Sequence, residues 1–229
     1  MMKRFLFFCV LFFSCASFGT SMGERRALSA PRGLEENLPQ LVRYLTDNIP
    51  NQAEQAKAIA VWIASHISYD FDTFDGNTFK RKTTHKEQTA NQVLKDKIGV
   101  CEGFADLYEK MLKLAGIRNE KVYGFVVEKA TGQHDAKVKV KKEPVGHVWT
   151  KVNVLERSPI YVDTTWMSRG GFNITQRRHS EQRRKREIRQ NKRDHKSHTY
   201  QMDYFDFAYS DLAKHGEYRF TRNRQLIKK

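Results

Sequence analysis

The chain has 229 residues, 39% of them hydrophobic and 12% aromatic, with 41 Lys+Arg against 26 Asp+Glu and a net charge of +15. That apolar content excludes general disorder, and three cysteines are too few for a disulfide scaffold. One domain with tails is expected at this length, and no internal stretch approaches the roughly 20 apolar residues of a membrane span.

The N-terminus reads as a secretory signal over 1–19. Lys3 and Arg4 precede an apolar run at 5–13, and small residues follow at Ser14, Ala16, Ser17 and Gly19. Phe13-Ser14-Cys15 also resembles the end of a lipobox, which makes Cys15 a candidate lipidation site. Either route exports the protein to the periplasm or medium, with a lipid at Cys15 as the anchored variant. Export leaves Cys101 as the one free thiol of the mature chain, and an unpaired cysteine in an oxidising compartment needs an explanation.

Residues 20–33 are polar and punctuated by Pro31 and Gly33, so a linker is expected there. The domain proper is expected over 34–229. Leu38, Leu41, Val42 and Leu45 have helical spacing within 34–48, and Ile49-Pro50 stops that helix. Asn51 caps the next helix, whose Ala56, Ile59, Ala60, Ile63 and Ile67 form one face. The aromatic-rich stretch 69–87 reads as a long loop of the kind that carries function. Thr89 caps a short helix ending near Asp96.

Gly99-Val100-Cys101-Glu102-Gly103 then opens a helix carrying Phe104, Leu107, Tyr108, Met111 and Leu112, which Gly116 ends. A cysteine at a helix N-terminus has its thiolate favoured by the dipole. Gly99 and Gly103 permit tight turning and close approach of backbone or substrate.

From there the period becomes two, with strands expected over 122–127, 137–141, 147–155 and 160–165. Helices followed by an antiparallel run of strands give an α+β fold, with N-terminal helices packed on a sheet. His147 opens one strand and is a candidate base for the thiol. Asp163 lies in the next, within Ile160-Tyr161-Val162-Asp163-Thr164-Thr165-Trp166. A carboxylate in so apolar a strand is costly unless paired, and an imidazole N–H can pair it.

Gly99-Val100-Cys101-Glu102-Gly103-Phe104-Ala105, Ala115-Gly116-Ile117, Gly146-His147-Val148-Trp149 and Tyr161-Val162-Asp163-Thr164-Thr165-Trp166 together resemble the bacterial transglutaminase-like superfamily. The resemblance covers roughly 54–166 and implies a papain-like core. By it, Cys101 is the nucleophile, His147 the general base and acid, and Asp163 the orienting carboxylate. Thr150 and Met167 stand where relatives carry Asn, or Asn or Asp. The Cys101 backbone N–H and the Gln92 side chain are candidate oxyanion donors, and Trp149 and Trp166 candidate packing or substrate contacts.

No metal-ligand spacing appears, and cysteine-nucleophile chemistry needs no cofactor. A basic insertion at about 176–198 carries ten Lys/Arg and three Asp/Glu between Arg177 and Lys196. It is either a solvated loop or a contact for an anionic envelope surface; export and the lack of interleaved aromatics argue against nucleic acid. Tyr200 to Phe207 returns to core-like composition, followed by a short helix at 208–215 and a strand at 218–220.

The expected function is therefore an exported transglutaminase-like cysteine enzyme. It acts on amide bonds of a protein or peptide through a thioester, as a peptidase, an amidase or a protein-glutamine acyltransferase. The alternative is a non-catalytic binding or scaffolding module of the cell envelope that works through its basic insertion.

Overall fold

The computed structural model describes residues 20–70, 88–128, 145–168, 200–207 and 218–221. The signal segment with Cys15, the strand expected at 137–141, the basic insertion and the helix expected at 208–215 lie outside them, as does most of the aromatic loop.

The expected linker at 20–33 contains a helix, α1 (Met22–Leu28). The sequence device is a capping box: Glu24 N–H donates to Ser21 Oγ, while Ser21 N–H donates back to Glu24 Oε2. Gly23 lets α1 lie directly on the helix at 52–66, since a Cβ there would stand 2.4 Å from the Glu54 carbonyl oxygen. Gly23 N–H in turn donates to Glu54 Oε2 at 3.0 Å.

Expected helix 34–48 divides in two. Gly33 takes a left-handed φ of 85°, a 3-10 turn covers Leu34–Glu36, and Asn37 then caps α2 (Leu38–Thr46). Asn51 caps α3 (Gln52–His66) as expected, but α3 is buried on more than one face. Ala58, Val61, Ala64 and Ser65 are sealed as completely as Ile59 and Ile63. The neglected α1 is the reason, since it packs on α3, as α2 and two later helices do.

Ser68–Tyr69 form β1, which pairs in parallel with β2 (Ile98–Gly99). Between them α4 (Ala90–Asp96) is capped by Thr89 and closed by Lys97 in the left-handed conformation. This small parallel pair delivers the chain into α5 (Cys101–Leu114). Leu107, Tyr108, Met111 and Leu112 bury one face of α5, and Gly116 takes φ 71° beyond its end.

β3 (Arg118–Glu128), β4 (Val145–Asn153), β5 (Ile160–Val162) and β6 (Tyr218–Thr221) form one antiparallel sheet in the order β5-β4-β3-β6. The strand expected over 160–165 stops at Val162. Asp163 leaves the ladder and caps a one-turn helix, α6 (Thr164–Met167). The result is the expected α+β arrangement, with α5 packed against β3 and β4.

Candidate active site

Cys101 is the first residue of α5 and is half-buried. Its three nearest backbone donors, at Cys101, Glu102 and Gly103, have no carbonyl within the helix to reach, so they concentrate positive potential at the thiol. Glu102 and Asp106 would oppose a thiolate from the same helix. Lys121 on β3 holds both carboxylates, at 2.8 and 2.5 Å, and Tyr123 Oη donates to Glu102 at 3.1 Å. Burial works to lower the Lys121 ammonium's pKa. The bonds from Asp106, Glu102 and Tyr123 outweigh it and hold the group charged far into the alkaline range.

His147 is on β4, opposite Gly124 of β3, which presents no side chain there. Trp149, two residues on, shares its face. The imidazole is enclosed by indoles, with ring centroids 6.0 Å from Trp149 and 5.6 Å from Trp166. Both tryptophans are buried, so they wall the ring rather than stand at a rim. Tyr204 meets Trp166 edge-on at 5.2 Å and extends this wall.

Asp163 is completely buried. Pairing Thr150 with Val162 sets Asp163 one step beyond the ladder, diagonally across from His147. His147 Nε2–H donates to Asp163 Oδ2 at 2.6 Å, and Trp166 N–H donates to Oδ1 at 3.0 Å. The Asp163 N–H donates to the Tyr204 carbonyl at 2.9 Å. Every polar part of the aspartate therefore has a partner, which is what a buried carboxylate requires.

With Nε2 on Asp163, Nδ1 is the ring nitrogen that serves Cys101, whose side chain is hydrogen-bonded to His147. Burial pushes the imidazole's pKa down, but the Asp163 charge and hydrogen bond, together with Cys101, push it up further, to about 10. The charged imidazole is therefore favoured beside Asp163 at neutral pH. The same carboxylate, after burial itself, contributes to raising the Tyr204 phenol to about 12.

The structure thus brings Cys101, His147, Asp163, Trp149 and Trp166 together. Gln92 sits on the first turn of α4, with its N–H on Thr89 Oγ1. The glutamine that reaches the Cys101 turn is Gln88, whose Oε1 accepts from Val100 N–H at 2.8 Å. Its twelve-residue separation from Val100 gave no periodic signal. Tyr204 was also missed as a wall residue, because its partner Trp166 lies 38 positions away in the sequence.

Residues 39–168, more than half of the chain, match the model of the Transglutaminase-like superfamily. The chain belongs to that superfamily. It is 29% identical to mouse kyphoscoliosis peptidase over 145 residues and 31% identical to human kyphoscoliosis peptidase over 151. Those alignments take in 59% and 62% of this chain but only 19% of each relative, so the chain spans about a fifth of the length of these proteins. Among solved structures, a TGase crystal structure aligns at 16% identity and TM-score 0.41. That alignment covers 61% of this chain and 32% of the other.

Proposed function

We propose that the chain is a cysteine enzyme that cleaves amide bonds of a protein or peptide through a thioester on Cys101. The observation that carries this reading is the continuous set of bonds from Asp163 through His147 to the thiol at the start of α5. The Cys101 thiolate attacks the amide carbon, and its backbone N–H stabilises the oxyanion that forms. Collapse of the tetrahedral intermediate breaks the C–N bond, and the His147 imidazolium gives its proton to the departing amine. Neutral His147 then takes a proton from water as the water oxygen attacks the thioester carbon. Breaking the C–S bond releases the acid and restores the thiolate and imidazolium. Asp163 keeps the ring oriented and supports its positive charge throughout.

Hydrolysis is the outcome favoured here: water is abundant, and the relatives matched above carry the name peptidase. A primary amine entering in place of water would make the same intermediate a transglutaminase product. Incubating the protein with a peptide library, with and without a primary amine, separates the two by mass. Peptide cleavage by the parent chain and none by Cys101→Ala is the expected result. Equal product from both would remove the enzyme reading.

Export is part of the same proposal, supported by the charge and apolar run of residues 1–19. N-terminal sequencing of the cell-derived protein is expected to begin after Ala16 or Gly19, or at a blocked Cys15. A chain still beginning at Met1 would refute cleavage of this segment.

A further inference from the structure

The start of α5 lacks the device that begins every other α-helix among the described residues. Ser21, Asn37, Asn51, Thr89 and Asp163 each cap their own helix with a side-chain oxygen. Val100, the corresponding residue of α5, has no such atom. At α1 the third helical residue, Glu24, also reaches back to the N-cap N–H. At α5 that third position is Gly103, which has no side chain to do so.

Gln88 fills the second of these gaps from outside the helix. Its Oε1 accepts the Val100 N–H at 2.8 Å, the bond that Glu24 makes at α1. The glycines make room for it. A Cβ at Gly103 would stand 2.6 Å from Gln88 Oε1 and 2.6 Å from Val93 Cγ2. A Cβ at Gly99 would stand 3.4 Å from the same Oε1 and 3.2 Å from both Val93 methyls. The close approach that these glycines allow is therefore made by the Gln88 carboxamide and Val93, in a notch around the residue preceding the thiol.

We propose that Gln88 is a positioning residue for the nucleophile. Its carboxamide holds the Val100 peptide and so sets the direction of the Cys101 N–H and thiol at the helix start. A neutral amide suits the task, because it accepts the N–H without setting a negative charge beside the thiolate. A carboxylate would make the same bond but oppose thiolate formation. The proposal rests on Cys101 being the nucleophile.

The test compares iodoacetamide alkylation of the full chain between pH 5 and 9 in the parent, Gln88→Met, Gln88→Glu and His147→Ala, with melting temperature as the control for folding. Gln88→Met keeps the volume and loses the acceptor. It is expected to slow alkylation at pH 6.5 about fivefold, the effect of one neutral hydrogen bond, and to lower kcat more than it raises KM on any peptide cleaved. Gln88→Glu keeps the acceptor and adds charge. It is expected to slow alkylation at pH 6.5 about tenfold and to converge with the parent near pH 9, a displaced profile that simple loosening of the fold does not produce.

A folded Gln88→Met that reacts at the parent rate overturns the proposal. If Gln88→Met does not fold, Gln88→Glu decides: a profile that coincides with the parent's overturns it, and a displaced one upholds it. A parent thiol no faster than free cysteine, and unaffected by His147→Ala, removes the nucleophile reading and this proposal with it. A fast, His147-dependent parent thiol with both Gln88 variants unchanged removes only the assignment of Gln88.

Discussion

Cys101 and His147 meet at the junction of two unlike regions. On the helical side the thiol is half-exposed and rests on backbone donors, a glycine notch and one borrowed carboxamide. On the sheet side the imidazole and carboxylate are sealed between two indoles, and each polar atom of Asp163 is bonded. The helical side can lose its reactive atom and still fold, because little of the core depends on it. The sheet side cannot, because its charges are buried and neutralise one another. Function and stability should therefore separate at Cys101 and coincide at Asp163.

The largest effect expected is on activity. Cys101→Ala should lower peptide turnover at least about a thousandfold and leave the melting temperature within a few degrees, as seen by calorimetry. A large loss of stability in that variant would mean the helical side is as locked as the sheet side. Asp163→Ala should instead cost about 3–5 kcal/mol in urea unfolding as well as activity, since it strands a buried imidazolium and the Trp166 N–H. Asp163→Asn should fall between, and a stability change below about 1 kcal/mol for the alanine variant would contradict the distinction.

Acidity gives a third comparison. The folded His147 pKa is raised from about 6.5 to about 10 by its partners. The stability it contributes is whole below the unfolded value and is lost as pH climbs through the raised one. Urea unfolding of the parent should weaken between pH 7 and 10.5 relative to His147→Gln. A flat difference across that window would show that the imidazole is neutral in the fold. Next in size, Gly23→Val should destabilise by about 2 kcal/mol by prising α1 from Glu54 and Ala58, with the alkylation rate of Cys101 unchanged. The smallest effect belongs to Lys113→Ala, an exposed partner of Glu109, expected within about 0.5 kcal/mol.

Much of the helical side was legible in the sequence. Phe104, Leu107, Tyr108 and Met111 repeat at helical spacing, and Gly116 marks the end, so α5 and its N-terminal cysteine follow from local pattern. Asp163 was legible as a buried carboxylate but set in the wrong element. Thr164 and Thr165 are β-branched and extend the look of a strand, yet Asp163 caps a helical turn instead. That turn is what aims Oδ2 at His147 from a diagonal position. Helix α1 was hidden because the residues it buries, Gly23 and Ala27, are small and carry almost no hydrophobic signal. Its local mark, Ser21 followed by Glu24, is visible once sought. Gln88 had no local mark at all, since its use depends on two glycines and a valine brought together by the turn between α4 and α5.

The segment at 200–207 closes the molecule on itself. Tyr200 donates its hydroxyl to Glu24, 176 positions earlier, at 3.0 Å. Gln201 N–H meets the Met167 carbonyl, and the Tyr204 carbonyl receives the Asp163 N–H. A ribosome delivers these partners long after α1, and after β3, β4 and β5 have emerged. Contacts of such sequence separation form slowly, because chain closure must precede any gain from them. The helices around α3 can therefore collect during synthesis, while the seat of the orienting carboxylate is completed only near the end. Refolding should accordingly show early helix formation and a later rise in tryptophan burial, as Trp166 and Tyr204 come together.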